Sequence, residues 1–263
     1  MNRIDLKFKE LRVRRKKAFI AFVTAGDPSL KATHDLVLAF ERSGVDIVEL
    51  GVPFSDPLAD GPTIQAASQR SLRNGTTLKK ILKTVSDIRK KSQIPIVFMT
   101  YFNPVFRFGE AKFVAAAKKA GVDGVIVPDL PPEEAGVLIK AARKNNFASI
   151  FLLSPTTAPA RLKTVTKASS GFIYYVSLTG VTGARRALSS SIVQNVKAAK
   201  RQTTMPVCVG FGVSTAAQVK AVAKIADGVI VGSAIVGEVF KNAGKKDLVK
   251  NVSRFVSNLS KNL

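Results

Sequence analysis

With one cysteine and one histidine in 263 residues, the chain lacks the means for a disulfide framework, a zinc site built on several cysteines, or a paired-histidine metal motif. Nothing around the lone His34 suggests a Ser-His-Asp triad. No apolar run approaches the roughly 18 residues of a membrane span, so no membrane partner is expected. Residues 1–17 are basic but contain neither an apolar stretch nor a cleavage site of secretion-signal type, and the expected setting is the reducing cytoplasm. Acidic residues are scarce: 18 Asp and Glu stand against 41 Lys and Arg, a formal charge of +23. Such a surplus attracts polyanions without any specific site. The charges are scattered, however. The densest run, residues 12–17, has five basic side chains around Val13, and no zinc finger, RNP aromatic motif or heptad-linked basic region accompanies it. The expectation is a lysine-rich solvated surface that favours small anionic substrates and has no specific nucleic-acid partner.

What the chain does contain is an ordinary globular mixture, 46% hydrophobic and 22% charged, which excludes disorder. Apolar runs of strand length occur at residues 18–24, 47–50, 96–101, 124–127, 149–153, 172–176, 207–210 and 228–231. Their near-continuous apolar character predicts strands covered on both faces, as parallel strands are. Segments of helical period lie between them. Leu36, Val37 and Phe40 share one face of 29–42, and Ile81, Leu82, Val85 and Ile88 one face of 78–90. Three joints repeat a formula just before a strand: Gly44-Val45-Asp46, Gly121-Val122-Asp123 and Ala226-Asp227-Gly228. Two of them place Gly where a left-handed helix end is wanted. No linker interrupts the pattern, so residues 1–263 read as a single domain with a basic N-terminal helix. Eight strands alternating with helices predict an α/β fold, a (β/α)8 TIM barrel. A doubly wound open sheet is the alternative. It would more often carry a Gly-rich dinucleotide turn after its first strand, and Thr24-Ala25-Gly26-Asp27-Pro28 is not one.

In a barrel the chemistry sits on the loops that follow the strands. Glu49 lies inside the apolar run of the second strand, where desolvation makes a carboxyl hold its proton more tightly, as acid/base work near neutral pH requires. The bland reading is a Glu satisfied by backbone donors at a polar barrel end. Asp56 and Asp60 follow on a Pro-punctuated loop, and either could cap the helix that starts near Pro62. Gly-rich loops follow the sixth, seventh and eighth strands at Gly180–Gly183, Gly210–Gly212 and Gly232-Ser233. Glycine lets backbone N–H groups approach an anion, and a helix beginning at Ser233 would aim its positive end at the same spot. Phosphate binding from the last two units is therefore expected. His34 reads as a surface residue, Cys208 as core filling, and Asp129 as a helix cap. Phe22, Met99 and Phe211 could face a barrel mouth or the core.

Residues 48–62 (VELGVPFSDPLADGP), with 22–28 (FVTAGDP), 180–183 (GVTG) and 232–236 (GSAIV), resemble the tryptophan synthase alpha chain family, and the resemblance covers residues 18–236. It implies a carbon–carbon lyase that splits indole-3-glycerol phosphate, a small-molecule phosphate substrate, into indole and glyceraldehyde 3-phosphate. This chain would hold no metal and no cofactor. A beta chain carrying pyridoxal phosphate would be its partner in an αββα heterotetramer, receiving indole through a tunnel. By matching motif, Glu49 is the general acid/base, Asp60 the carboxylate at the indole nitrogen, and Tyr174 the active-site tyrosine. Phe22, Ile64, Met99 and Phe211 fall where the indole pocket is expected. Phosphate ligands fall at the Gly183, Gly212, Gly232 and Ser233 backbones, with the Ser233 hydroxyl adding a donor, and Thr182 falls among the substrate-binding positions. The loop 53–60, with Pro53 and Asp56, would face the partner, and 178–191 would form a closing lid. One position departs: Leu178 stands where some members carry Arg.

Overall fold

The computed structural model describes residues 1–176, 190–210, 212–261 and 263. In chain order the elements are α1 (Arg3–Val13), β1 (Ala18–Thr24), α2 (Leu30–Arg42), β2 (Ile47–Gly51), α3 (Pro62–Arg73), α4 (Leu78–Arg89) and β3 (Ile96–Met99). Next come α5 (Phe102–Phe108), α6 (Glu110–Ala120), β4 (Gly124–Ile126), α7 (Gly136–Lys144), β5 (Ala148–Ile150) and β6 (Leu152–Leu153). The chain continues with α8 (Pro159–Ala168), β7 (Ile173–Val176), α9 (Ser190–Gln202), β8 (Val207–Gly210), α10 (Ala216–Ala223), β9 (Gly228–Val231), α11 (Ser233–Lys241) and α12 (Leu248–Ser260). Among the described residues no helix is long and apolar enough to cross a membrane.

The strands form one parallel sheet in the order β5-β4-β3-β2-β1-β9-β8-β7-β6. β5 pairs with β4, β6 pairs with β7, and only Phe151 separates β5 from β6. The two ends of the order are thus one interrupted strand, and the sheet closes into a (β/α)8 TIM barrel. The sequence placed a single strand at 149–153 and missed the break. It also carried the third strand to 101, whereas β3 ends at Met99 and Tyr101 begins the turn into α5.

Alternation along each strand divides the apolar residues between two cores. Ala18, Ile20 and Phe22 point inward with Ile47, Val97, Ile126, Ile150, Tyr174, Cys208 and Ile230, filling the barrel. Phe19, Ala21 and Val23 point outward to the helix layer, with Val48, Leu50 and Phe98. Both faces are buried, which is why the strands read as unbroken apolar runs. The floor of the barrel is plugged by Ile4, Phe8 and Leu11 of α1, and the Phe8 ring packs 5.9 Å from that of Phe172. Each fully buried side chain of this kind contributes about 1.5–3 kcal/mol.

The repeated joints have a common function at this floor. Asp46 accepts the Phe19 N–H at 2.9 Å, Asp123 that of Ile96 at 2.9 Å, and Asp227 that of Val207 at 3.1 Å. Each carboxylate therefore closes an N–H at the start of the neighbouring strand, the first one in β3 and β8 and the second in β1, which would otherwise end unpaired. Gly44 (φ 83°) and Gly121 (φ 98°) supply the left-handed turn that aims the segment back at the sheet. Asp123 is fully buried and also binds Arg3 at 2.9 Å and Arg89 at 3.0 Å, tying α1 to the barrel. The basic run is at this same end: Arg12, Arg15, Lys16 and Lys17 line a depression of about 290 Å³ at the N-terminal rim, far from the loops that follow the strands.

Candidate active site

Inward alternation sets Phe22 beside Glu49 and Glu49 beside Val97, with Gly51 beside Met99 one step nearer the mouth. Glu49 is 1% exposed, and neither carboxyl oxygen has a hydrogen-bond partner among the described residues. The reading in which backbone donors satisfy it is thereby excluded among those residues. Burial, and after it the charge of Asp60, push its pKa up to about 8. Thr24, on the same inward face at the end of β1, also holds a buried hydroxyl without a partner among the described residues.

Asp60 does not cap α3. The N-cap is Gly61, followed by Pro62, and no side chain bonds the free N–H groups there. The carboxyl of Asp60 instead accepts the hydroxyl proton of Tyr101, whose oxygen accepts the Ala59 N–H at 3.0 Å. Burial raises the Asp60 pKa to about 6, and the Tyr101 hydrogen bond pulls against that rise. Burial and the Asp60 charge push the Tyr101 phenol well above its ordinary range. Tyr101 was not singled out from sequence. Its one signal was a tyrosine at the mouth end of an apolar run, and the partner lies 41 residues away.

Tyr174 points inward from β7 beside Cys208. Its phenol is raised far above the ordinary value, first by burial and then by the charges of Glu49 and Asp60, so the three groups share one space. Two glycines make room for the rings around it. A Cβ on Gly51 would stand 2.6 Å from the Phe22 ring, and one on Gly210 2.6 Å from the Tyr174 hydroxyl. Met99 joins the same cluster, and Ile64 packs against it. The result is an apolar slot with Glu49 in its wall and Asp60 at its lip.

On the other flank of β1, beyond Phe22, is the start of α11. Its N-cap is Gly232 and carries no side-chain cap; the Ile235 N–H bonds the Gly232 carbonyl at 2.8 Å, which leaves the Ser233 and Ala234 N–H groups for an anion. Gly232 abuts Phe22, where an added Cβ would lie 3.6 Å from the Phe22 Cβ. Gly212 follows β8 with φ 77°. Thr182, Gly183, Phe211, Leu178 and most of the expected lid lie outside the described residues. On the loop 53–60, Asp56 is exposed and accepts the Ser55 hydroxyl, while Pro53 is buried in the chain by itself. Asp129 caps a helix, though not the next one: it accepts the Phe102 N–H of α5 at 2.9 and 3.1 Å. Among the described residues no group of three or more His, Cys, Asp or Glu could hold a metal ion.

Fold and site together define a TIM-barrel enzyme whose mouth gathers two carboxyls of raised but unequal pKa, an apolar cluster and a helix N-terminus suited to an anion. The family model for the tryptophan synthase alpha chain matches residues 8–263. The tryptophan synthase alpha chain of Geotalea daltonii is 51% identical over 259 residues, 98% of either chain. A crystal structure of tryptophan synthase subunit alpha from Legionella pneumophila superposes with a TM-score of 0.93 at 37% identity, covering 100% of this chain and 98% of that one. The tryptophan synthase α2β2 complex of Pyrococcus furiosus contains a chain that superposes with a TM-score of 0.87 at 40% identity, covering 92% and 97%. The chain belongs to the tryptophan synthase alpha chain family. It is a lyase of tryptophan biosynthesis, the family's reaction being the cleavage of indole-3-glycerol phosphate.

Proposed function

We propose that Glu49, Asp60 and Tyr174 form the centre at which this chain cleaves indole-3-glycerol phosphate, with phosphate held by the N-terminus of α11. The observation that carries the reading is the pairing of two carboxyls with unequal, raised pKa values in one apolar slot, about 8 for Glu49 and about 6 for Asp60. The reaction is a retro-aldol cleavage. Indole C3 must gain a proton before the C–C bond breaks, so that the ring can accept the electron pair. Glu49 enters protonated near neutral pH and gives that proton; as its carboxylate it then takes the proton of the glycerol hydroxyl as the aldehyde forms. Protonation leaves positive character on the indole nitrogen, which ionised Asp60 stabilises, taking the N–H proton and returning it to nitrogen as the C–C electron pair flows into the ring, so that indole leaves neutral and Asp60 is ionised again. Phe22, Ile64, Met99 and Phe211 enclose the ring. Thr182, Gly183, Gly212, Gly232 and Ser233 hold the phosphate, whose remote binding energy orients the reacting bond. The chain is one catalytic unit over residues 1–263, working in the cytoplasm without a cofactor of its own.

The partner is a beta chain with bound pyridoxal phosphate, in an αββα assembly that receives the indole. Leu58, 93% exposed, and Phe106, 65% exposed, support docking on this side. They stand on the loop and helix that follow β2 and β3, joined by the stack of Phe54 on Tyr101 at 5.3 Å. The test is to mix purified chain with indole-3-glycerol phosphate, with and without a beta chain, and follow indole. Indole release that rises when the beta chain is added is expected; no release in either mixture overturns the reading.

Two variants probe the ends of the slot. Tyr101→Phe removes the hydrogen bond that holds the Asp60 pKa down, so the acid limb of the kcat/KM profile moves to higher pH, while the alkaline limb stays in place. A profile with both limbs unmoved would remove Tyr101 from the site. Gly212→Asp sets a negative charge and a left-handed backbone penalty where the phosphate is to sit. Calorimetry should show at least a tenfold weaker affinity for glycerol phosphate, and an unchanged affinity would count against this phosphate site.

A further inference from the structure

Arg70 stands ten residues beyond Asp60, on the outward side of α3, away from the slot. Its guanidinium grips Asp27 in bidentate fashion, Nε–H to Oδ1 at 2.9 Å and Nη2–H to Oδ2 at 2.7 Å. Asp27 is 4% exposed and lies in the loop after β1, five residues past Phe22. The same guanidinium lies over the Phe240 ring, 4.4 Å from its centroid. Phe240 is on α11, seven residues after Ser233. One planar cation therefore uses its fork on the β1 loop and its face on α11 while its backbone belongs to α3. Those three elements carry, respectively, Phe22, the open helix N-terminus, and the segment that begins with Asp60.

We propose that Arg70 is a positioning residue that sets the spacing between the carboxyl end and the phosphate end of the slot. The proposal rests on the site reading above and adds a device that holds its two halves in register. Ser71 and Asn74 also bind α3 to the β1 loop, Ser71 Oγ to the Ala25 carbonyl at 2.6 Å and Asn74 Nδ2 to the Pro28 carbonyl at 2.8 Å. The loop is thus held without Arg70, and what Arg70 adds is the tie from that joint to α11. A substrate anchored at α11 and reacting beside Glu49 spans this distance, and a misplacement of about 1 Å at a reacting centre can cost 100-fold in rate. Lysine supplies the charge but neither the paired donors nor the flat face.

The experiment is steady-state kinetics with indole-3-glycerol phosphate on Arg70→Lys, Phe240→Leu and the double variant, beside calorimetry with glycerol phosphate and thermal unfolding. Phe240 is 57% exposed, so its replacement leaves the fold standing. Expected are folded variants whose kcat falls roughly 10- to 100-fold while glycerol phosphate affinity stays at the parent value. The double variant should lose no more than Arg70→Lys alone, since both changes cut one tie. Parent-like kcat in folded variants overturns the proposal, and so does glycerol phosphate affinity that falls in step with kcat, which would mean damage to α11 itself. Glu49→Gln measured in parallel separates the two levels. If it turns over like the parent, the site reading falls and the proposal with it. If it is inactive while Arg70→Lys is parent-like, the proposal alone falls.

Discussion

Glu49→Gln is expected to lower indole release at least about 100-fold while making the folded chain more stable at neutral and alkaline pH. The first effect follows from removing the group that moves both protons, and acid/base assistance is typically worth 10²- to 10⁴-fold. The second follows from linkage. Glu49 has a folded pKa raised to about 8, above the ordinary value of 4.5. Between those values the unfolded chain has released the proton that the folded chain keeps. Below pH 4.5 both states are protonated and burial of the carboxyl carries no ionisation penalty. As pH rises toward 8 stability is progressively lost, because folding must either keep a proton that water would take or bury a charge. Gln cannot ionise, so that loss disappears. Urea unfolding of parent and variant should give curves that approach one another at pH 4.5 and separate toward pH 8, the variant being the more stable. A variant with parental turnover, or one whose stability advantage grows toward low pH, would reject the account. The same two groups shape the parent's rate profile. Cleavage needs Asp60 ionised and Glu49 protonated, so kcat/KM should be bell-shaped, with limbs near pH 6 and pH 8. In Glu49→Gln the alkaline limb of any residual activity should vanish.

Asp123→Ala is expected to cost about 3–5 kcal/mol of stability, the range for removing one partner of a buried ion pair. Asp123 is fully buried and Arg89 is only 10% exposed at its side chain. Burial already lowers the Arg89 pKa to about 10, against the opposing pull of Asp123. Without the carboxylate, Arg89 is a buried cation lacking its counter-charge, the Ile96 N–H loses its acceptor, and Arg3 releases the start of α1. The third Asp of the repeat provides the contrast. Asp227 is 27% exposed at its side chain and its cationic partners, Lys17 and Lys200, are more than a third exposed or close to it. Water screens that cluster, and Asp227→Ala should cost less, about 1–2 kcal/mol, mostly for the Val207 N–H left unpaired. Equilibrium urea unfolding of the two variants tests the ranking. Equal losses would mean that these two joints do not differ by burial in the way described.

Much of this was readable before any coordinates. Unbroken apolar runs located every stave of the barrel because both faces of each strand are covered, and Glu49 stood out because a carboxyl in such a run has to be buried. Asp60 remained ambiguous, since a residue just before Gly-Pro can cap a helix. The structure settles its geometry because Gly61 takes the cap position and leaves the carboxyl free to meet the Tyr101 hydroxyl. Within the loop 53–60 the first turn after β2, with Pro53, is packed and the stretch from Ser55 onward is largely exposed, a division that no local pattern marks.

The sequence by itself determined the alternation of strand and helix, the two-sided burial of the sheet, and which carboxyl would be stripped of water. These are properties of neighbours along the chain, set by periods of two and 3.6 residues. Tertiary structure alone decided that the strand at 149–153 breaks at Phe151 to close the barrel. It alone decided that Tyr101 serves Asp60, that each repeated Asp closes a strand N–H 20 to 27 residues earlier, and that Arg70 joins three elements at one guanidinium. Each of these depends on a partner brought close only when the sheet curls shut, and no local pattern of side chains encodes a distance of that kind.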